Sequence, residues 1–512
     1  MSRIPSRSSA AVLISLLVLL GCSSPQYPTP LEEAEGPFLT PHAEMVSFLE
    51  GLQEGTGAFT MERIGTSVEG RDLLLLRFTG LDAGGQSSDD MSEASEGKLK
   101  ILFFAQQHGN EHSGMEASVS LARDIATGAF SEFREHVDFY LIPQVNPDGS
   151  EARQRQNADG FDLNRDHLPL FTPEVLAVHQ VFQEVMPDVV LDVHEYGTGG
   201  SSWLVKGIRK DFGQQIDGLT NANISSELRT FAVDRVIAEM REALVARDVR
   251  LNRYLVTDGP DARFRHSTGA INDGRNSTGI YNALTFLIEG KNGLTVEDNI
   301  RERARQQLET MKAFLTFFGE NAAEVKSLVE QEQSRLAGES GPYPVALVMD
   351  FVRDPHHPTV EVGVVDAETG VEGTLLIEDY HPRMEATLFV DRPMGYVIPP
   401  ELNGVLEVLE RHGIPTTRLD GPIQAEVEEY RITGVESTQK EDKDFLQVEV
   451  SGARKAMEIP AGHILVSTHG LQSNLIVTLL EPQSQWGLAP LPAFSSMLEV
   501  GSVYPILRVI GM

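Results

Sequence analysis

One cysteine stands in the whole 512-residue chain. That excludes a disulfide framework, because a lone thiol has no partner within the chain. Basic residues are also few, 42 against 75 acidic ones, for a formal net charge of −33. No basic stripe stands out, which argues against nucleic acid as a partner. The acidity itself reads as solubility or a salty habitat. Long apolar runs are scarce too. The one near the start, residues 10–20, is too short to span a bilayer comfortably. What remains is a chain long enough for two or more domains and a sizeable core.

Arg3 and Arg7 precede that apolar run, and Leu19-Leu20-Gly21-Cys22 follows it. A charged start, a short apolar core and a small residue at the cut mark a secretory signal over residues 1–22. The Leu-Leu-Gly-Cys stretch resembles the lipobox of bacterial lipoproteins, which implies that Cys22 is lipidated and becomes the new N-terminus. Ser23 follows, with no Asp to signal retention in the inner membrane. The expectation is an exported outer-membrane lipoprotein facing the periplasm or the exterior, held to the membrane by its lipid. Residues 23–40 then read as a tether, and no inhibitory pro-segment of obvious length is expected before Pro41.

Apolar runs without period-two alternation stand at 98–106, 136–143, 187–193 and 285–289. Helical spacing stands between and around them, at 41–54, 114–127, 172–186, near 228–247 and at 296–318. A turn at 64–71 leads into a further strand at 73–78, and the Ser-rich acidic residues 84–97 read as a surface loop. Strands alternating with helices predict a largely parallel sheet with helices on both sides, its strands buried on both faces. The pattern changes after about Gly338. Residues 339–342 read as a linker. Short β-rich runs follow at 345–351, 359–365, 373–377, 386–390, 445–450 and 475–480, with one helix at 400–412. The predicted division is a catalytic domain over 41–325 and a smaller β-rich domain over 340–512. The second shows no catalytic constellation, and its His356-His357 pair reads as surface.

The chemistry lies at the ends of the apolar runs. Residues 101–105 lead into His108-Gly109-Asn110-Glu111, residues 189–193 end in His194, and residues 284–288 end in Glu289. In open α/β sheets ligands bind at the C-terminal edge of the strands. Catalytic zinc takes three protein ligands and leaves a position open for water. His108, Glu111 and His194 supply that set for one zinc per chain. Glu289 is the candidate to take a proton from water and pass it to a leaving amine.

Several stretches, in this order, resemble the zinc carboxypeptidase family. They are Gly65-Thr66-Ser67-Val68-Glu69-Gly70-Arg71, His108-Gly109-Asn110-Glu111, Asn146-Pro147-Asp148-Gly149, Asp162-Leu163-Asn164-Arg165, Asp192-Val193-His194-Glu195 and the strand ending in Glu289. The resemblance spans about 41–320. It implies an α/β fold with a mixed, mainly parallel sheet flanked by helices. It also implies zinc-dependent hydrolysis of the C-terminal peptide bond of a peptide or protein with a free C-terminus. Asn164 and Arg165 fall where the family binds the substrate carboxylate, a use that suits a bidentate guanidinium. An arginine just upstream stabilises the oxyanion in the family. Arg155 is the better match and Arg153 a rival, as oxyanion stabiliser or as a further substrate contact. The family's substrate-capping Tyr has no counterpart at its usual distance from Glu289: Tyr281 is too close and Tyr254 too far. Arg275, in the region that shapes specificity, either favours acidic side chains or braces a loop.

Other readings stand beside this one. His108-x-x-Glu111-His112 also reads as an inverted zincin motif, with His112 as a ligand; its position directly after a strand and its Gly-Asn pair fit a helix poorly. The same fold can carry a cell-wall stem-peptide peptidase, an amidase or a deacylase. A non-catalytic binding protein is the third reading, and a complete ligand set with its base speaks against it.

Overall fold

The computed structural model describes residues 26–79, 97–440 and 443–512. The signal segment, Cys22 and most of the acidic loop at 84–97 lie outside the described residues.

The first part of the chain forms strands β1 (Thr60–Thr66), β2 (Asp72–Phe78), β3 (Leu99–Ala105), β4 (Val137–Ile142), β5 (Val189–Tyr196), β6 (Ile208–Lys210), β7 (Gln214–Asp217), β8 (Leu251–Arg253), β9 (Phe264–Arg265) and β10 (Leu284–Lys291). Eight of them make one sheet in the order β1-β2-β4-β3-β5-β10-β7-β8. The inner strands β4, β3, β5 and β10 run parallel. Antiparallel strands flank them, through β2 on β4 and β7 on β10. The sheet is therefore mixed and mainly parallel at its centre, as expected. The parallel register places Glu289 of β10 directly beside His194 of β5.

The central strands are apolar throughout because both faces are covered. Phe103 of β3 meets Phe139 edge-on at 4.9 Å and Phe314 at 5.5 Å. Phe314 lies on the helix Ile300–Glu320 and also meets Phe286 edge-on and Phe318 at a tilt. Each such buried ring contributes on the order of 1.5–3 kcal/mol. This layer fixes the strand ends from which the site is built. The helix His112–Ala126 packs against Ile300–Glu320.

Three elements differ from the sequence reading. β1 is an edge strand with no fully buried residue, so it carries no burial pattern to read. A second long helix, Ala322–Gly338, follows the closing helix where only a boundary was expected. Residues 475–480 are not a strand but part of the helix Ser473–Leu480, buried on every side. A short apolar run buried all round has no periodicity by which to separate the two.

The rest of the chain is β-rich: β11 (Pro344–Val352), β12 (Val360–Asp366), β13 (Glu372–Ile377), β14 (Tyr380–His381), β15 (Arg383–Asp391), β16 (Gly395–Ile398), β17 (Thr416–Arg418), β18 (Ile423–Lys440), β19 (Lys443–Ile459), β20 (Ile464–Ser467) and β21 (Leu507–Gly511). Six form a sheet in the order β17-β20-β16-β21-β18-β19. Others join the first part directly: β12 pairs with β6 and β14 with β9. Arg263 grips Asp350 through two hydrogen bonds, and His412 sits 2.7 Å from the Leu168 carbonyl. No helix among the described residues is long and apolar enough to cross a membrane.

Candidate active site

Past the end of β3 the chain turns sharply through Gly109. A Cβ there would lie 2.0 Å from the carbonyl carbon of Gly149. The two motifs His108-Gly109-Asn110-Glu111 and Asn146-Pro147-Asp148-Gly149 thus touch backbone to backbone, which is why Gly109 has no room for a side chain; a Cβ on Gly149 would instead meet the Gln156 carbonyl oxygen at 2.4 Å. Asn146 holds this crossing by donating to the Gln107 carbonyl at 3.0 Å. Asp148 in turn gathers Ser67, the Glu69 amide and Arg71. Two of the family-like stretches therefore brace the frame on which the cluster is mounted.

His108, Glu111 and His194 are all buried, and one ligand atom from each falls within 4.8 Å of the others. His108 Nδ1 is 2.8 Å from Glu111 Oε1, His194 Nδ1 is 3.0 Å from Glu111 Oε2, and the two Nδ1 atoms are 3.1 Å apart. Each imidazole turns its other nitrogen to a carboxylate. His108 Nε2 meets Asp162 at 3.2 Å, and His194 Nε2 meets Asp192 at 2.9 Å. Carboxylates behind metal-binding histidines fix the tautomer and aim the free lone pair. Burial opposes charge on His194, yet Asp192 and Glu111 outweigh it and push the imidazole well above its ordinary pKa. Burial would raise the Glu111 carboxyl, but the two imidazoles hold it well below the usual range. Two imidazole nitrogens and a carboxylate converge on one point, and the set fits a tetrahedral metal with one open position.

Glu289 is buried beside this cluster. Burial and the nearby Glu111 push its carboxyl up to about 7. The hydroxyl of Tyr254, which follows β8, hydrogen-bonds to it. The sequence reading left Tyr254 aside because of its distance along the chain; the return of the loop after β8 brings it in. Asp162 bridges the cluster and Arg155: its Oδ1 meets His108 and its Oδ2 accepts from Arg155 Nε at 3.0 Å. Arg155 also reaches to 3.6 Å from Glu111. Arg153 does not join them. It sits in a left-handed turn (φ 55°) that sends its exposed side chain to Glu297.

Asn164 Nδ2 is 3.1 Å from His194 Nε2, and its Oδ1 accepts the Gly274 amide at 2.8 Å. Arg165, next to it, is exposed, bonds its own neighbour's carbonyl, and has no ion pair among the described residues. Arg275 is buried and braces the loop through Thr220 and the Thr268 carbonyl, so the loop-bracing reading is the one its contacts fit. His112 opens a helix outside the cluster, and burial lowers it to about 4. The inverted zincin reading is thereby excluded on geometry.

Behind His194 runs a buried chain of polar groups that no spacing along the chain reveals. Asp192 accepts from Gln107 Nε2 at 2.9 Å, and the Gln107 Oε1 lies 2.6 Å from His167 Nε2. His167 Nδ1 lies 3.0 Å from His179 Nε2, and the His179 ring meets His412 edge-on at 5.5 Å. Burial holds all three imidazoles below their ordinary pKa, His167 at about 3 and His412 at about 4. They are neutral, so each can donate with one nitrogen and accept with the other.

A buried two-histidine, one-glutamate cluster at the C-terminal edge of a mixed sheet has the ligand set of a hydrolytic metal centre. Residues 45–198 match the family model described as zinc carboxypeptidase. Carboxypeptidase 2 of Trichophyton tonsurans is 25% identical over 83% of this chain and 79% of its own length. Carboxypeptidase E of Caenorhabditis elegans is 32% identical over 21% of this chain and 25% of its own. The crystal structure of a metallo-carboxypeptidase from Burkholderia cenocepacia is 18% identical, with a TM-score of 0.40 over 54% of this chain and 68% of that one. Residues 45–198 thus carry a zinc carboxypeptidase domain, and the chain is a metallocarboxypeptidase.

Proposed function

We propose that the protein removes C-terminal residues from peptides or proteins with a free carboxylate, using one zinc held by His108, Glu111 and His194. The observation that carries this reading is the buried cluster with Glu289 in register beside His194 and an exposed guanidinium, Arg165, next to Asn164. Zinc, when bound, supplies Lewis acidity toward water and the scissile carbonyl.

The chain's own groups supply the rest. Arg165 and Asn164 hold the substrate carboxylate, which sets the last peptide bond over the cluster. Arg155, oriented by Asp162, faces the carbonyl oxygen as negative charge develops. Glu289 takes the proton from the attacking water and returns it to the departing amine. Its elevated pKa in the metal-free site suits both halves of that transfer; a bound dication lowers it by Coulomb attraction. Tyr254 orients the Glu289 carboxyl and closes over the bound residue. We further place the enzyme outside the cytoplasm, anchored through lipid on Cys22.

The test is turnover of acetylated peptides with free or amidated C-termini. Free acids are cleaved and amides are not, and chelation abolishes the reaction. Glu289→Gln retains zinc and loses kcat by several orders of magnitude. Equal cleavage of amidated peptides instead favours the amidase or cell-wall peptidase reading. Full activity in Glu289→Gln removes its assigned role.

A further inference from the structure

Beyond Arg165 the site opens into a pocket of about 290 Å³. One wall is the loop from Thr268 to Asn272, and the opposite wall comes from the β-rich region: Phe445 of β19, Trp486 and Leu491. We propose that this region completes the pocket for the substrate's last side chain, and that the pocket selects a large apolar or aromatic residue. The inference deepens the exopeptidase reading and rests on it.

The walls are built, not merely adjacent. Gly269 has no side chain, and a Cβ there would lie 2.9 Å from Trp486 Cη2, so the indole lies directly against the loop backbone. The loop is pinned from behind: Asn221 donates to the Gly269 carbonyl at 2.6 Å and Arg275 to the Thr268 carbonyl at 3.1 Å. Farther along, the Gly274 amide donates to Asn164, which contacts His194. The Trp486 segment is fixed by the Gln485 amide, which donates to the Leu347 carbonyl, and by Gln485 Oε1, which accepts from the Met349 amide. The first of these bonds is 2.8 Å long. The loop wall is therefore held through its own backbone carbonyls, and the Trp486 wall through the amide and side chain of Gln485.

The lining decides the ligand. Arg165 is its single charged residue, with no acid and no second base. A substrate whose carboxylate meets Arg165 directs its side chain toward indole, phenyl and leucine surfaces. An anionic or cationic side chain would find no counter-charge there beyond the Arg165 already taken by the carboxylate, only the neutral polar groups of Thr268, Asn272, Ser437 and Gln485. The volume equals that of roughly ten waters at about 30 Å³ each, room for an aromatic ring.

The test uses the full chain loaded with zinc and acetylated tripeptides ending in Phe, Leu, Ala, Glu or Lys. Phe and Leu should exceed Ala in kcat/KM by roughly 10-fold or more, with Glu and Lys lowest. Trp486→Ala should shrink the Phe-to-Ala ratio toward one. Ser437→Trp, which fills the pocket from its rim, should shrink it as well and guards against misfolding in the first variant. An unchanged ratio in both variants, or a wild-type preference for Glu or Lys, overturns the pocket and leaves the exopeptidase reading intact. Binding supplies an independent arm. The chain has two tryptophans, so Trp203→Phe leaves Trp486 as sole reporter. Phenylalanine should change its fluorescence saturably, while alanine and phenylalaninamide should bind at least roughly 10-fold more weakly. That response without any peptide turnover retains the pocket and defeats the exopeptidase reading. No response to phenylalanine defeats the pocket.

Discussion

Replacing Gln107 by Leu should weaken zinc binding although Gln107 is not itself in the ligand cluster. Gln107 is fully buried, donates to both oxygens of Asp192 at 2.9 Å, and accepts from the His167 side at 2.6 Å. Leucine keeps the bulk and removes both functions. Asp192 then loses its donor on the face away from His194 and can rotate. The imidazole loses the partner that aims its Nδ1 into the cluster. Groups behind metal ligands typically contribute 10–100-fold in affinity, about 1.4–2.7 kcal/mol. An orphaned buried donor on His167 adds about 1–3 kcal/mol against folding. His167→Phe cuts the chain one link farther out and should cost less, near the 10-fold end. The assay is competition for zinc between the protein and a chromogenic chelator at pH 7, with thermal unfolding of the metal-free proteins alongside. Zinc affinity in Gln107→Leu within twofold of the parent would refute the idea that this chain supports His194.

Two further outcomes follow from single residues. Burial raises Glu116, which accepts the amide and hydroxyl of Thr40, to about 7 from an ordinary 4.5. The folded state thus holds an extra proton between those values, and stability falls as pH rises from about 4.5 to 7. Glu116→Gln should be more stable than the parent above pH 7, by at most roughly 3 kcal/mol, and converge with it near pH 4.5; an equal gap at pH 5 and pH 8 in urea melts would sink this. Gly109→Ala places a Cβ against Gly149 backbone that cannot yield; it should lower stability by about 3 kcal/mol or more and shed zinc, read by melting and metal content.

The metal-site candidates were legible because each follows an apolar run that stops at a polar residue. A strand buried on both faces is written largely in Val, Leu, Ile and Phe, so an ionisable group at the end of such a run marks the sheet's edge. That logic found His108, Glu111, His194 and Glu289 with no need for the third dimension. It failed where the chain leaves the sheet. Arg153 and Arg155 are two residues apart in a turn, and only the left-handed backbone at Arg153 decides which one faces inward. Tyr254 depends on a loop whose course is set by packing, including a hydrogen bond from its amide to Ile216. Strands as short as β6 and β9 have no period to detect, so the pairing of β6 with β12 and of β9 with β14 had no trace in the sequence.

Those pairings change what the β-rich region is for. A region joined by a flexible linker would leave polar groups on both surfaces solvated. Here His412 is buried against the Leu168 carbonyl, Gln183 donates to the Arg411 carbonyl, and Asn474 to the Asn223 carbonyl. Leu168 and Asn223 belong to the loops that surround the site, and Asn223 also exchanges hydrogen bonds with Ala346. Removing the partner of a buried carbonyl costs about 1–3 kcal/mol each, so these loops have their observed course only while the later strands cover them. The buried polar chain from His194 ends at His412, and the pocket wall facing Arg165 is Trp486 and Phe445. On the proposed reading, both the cluster and the pocket beside Arg165 are backed by residues encoded after position 340, although that stretch holds no candidate metal cluster among its described residues.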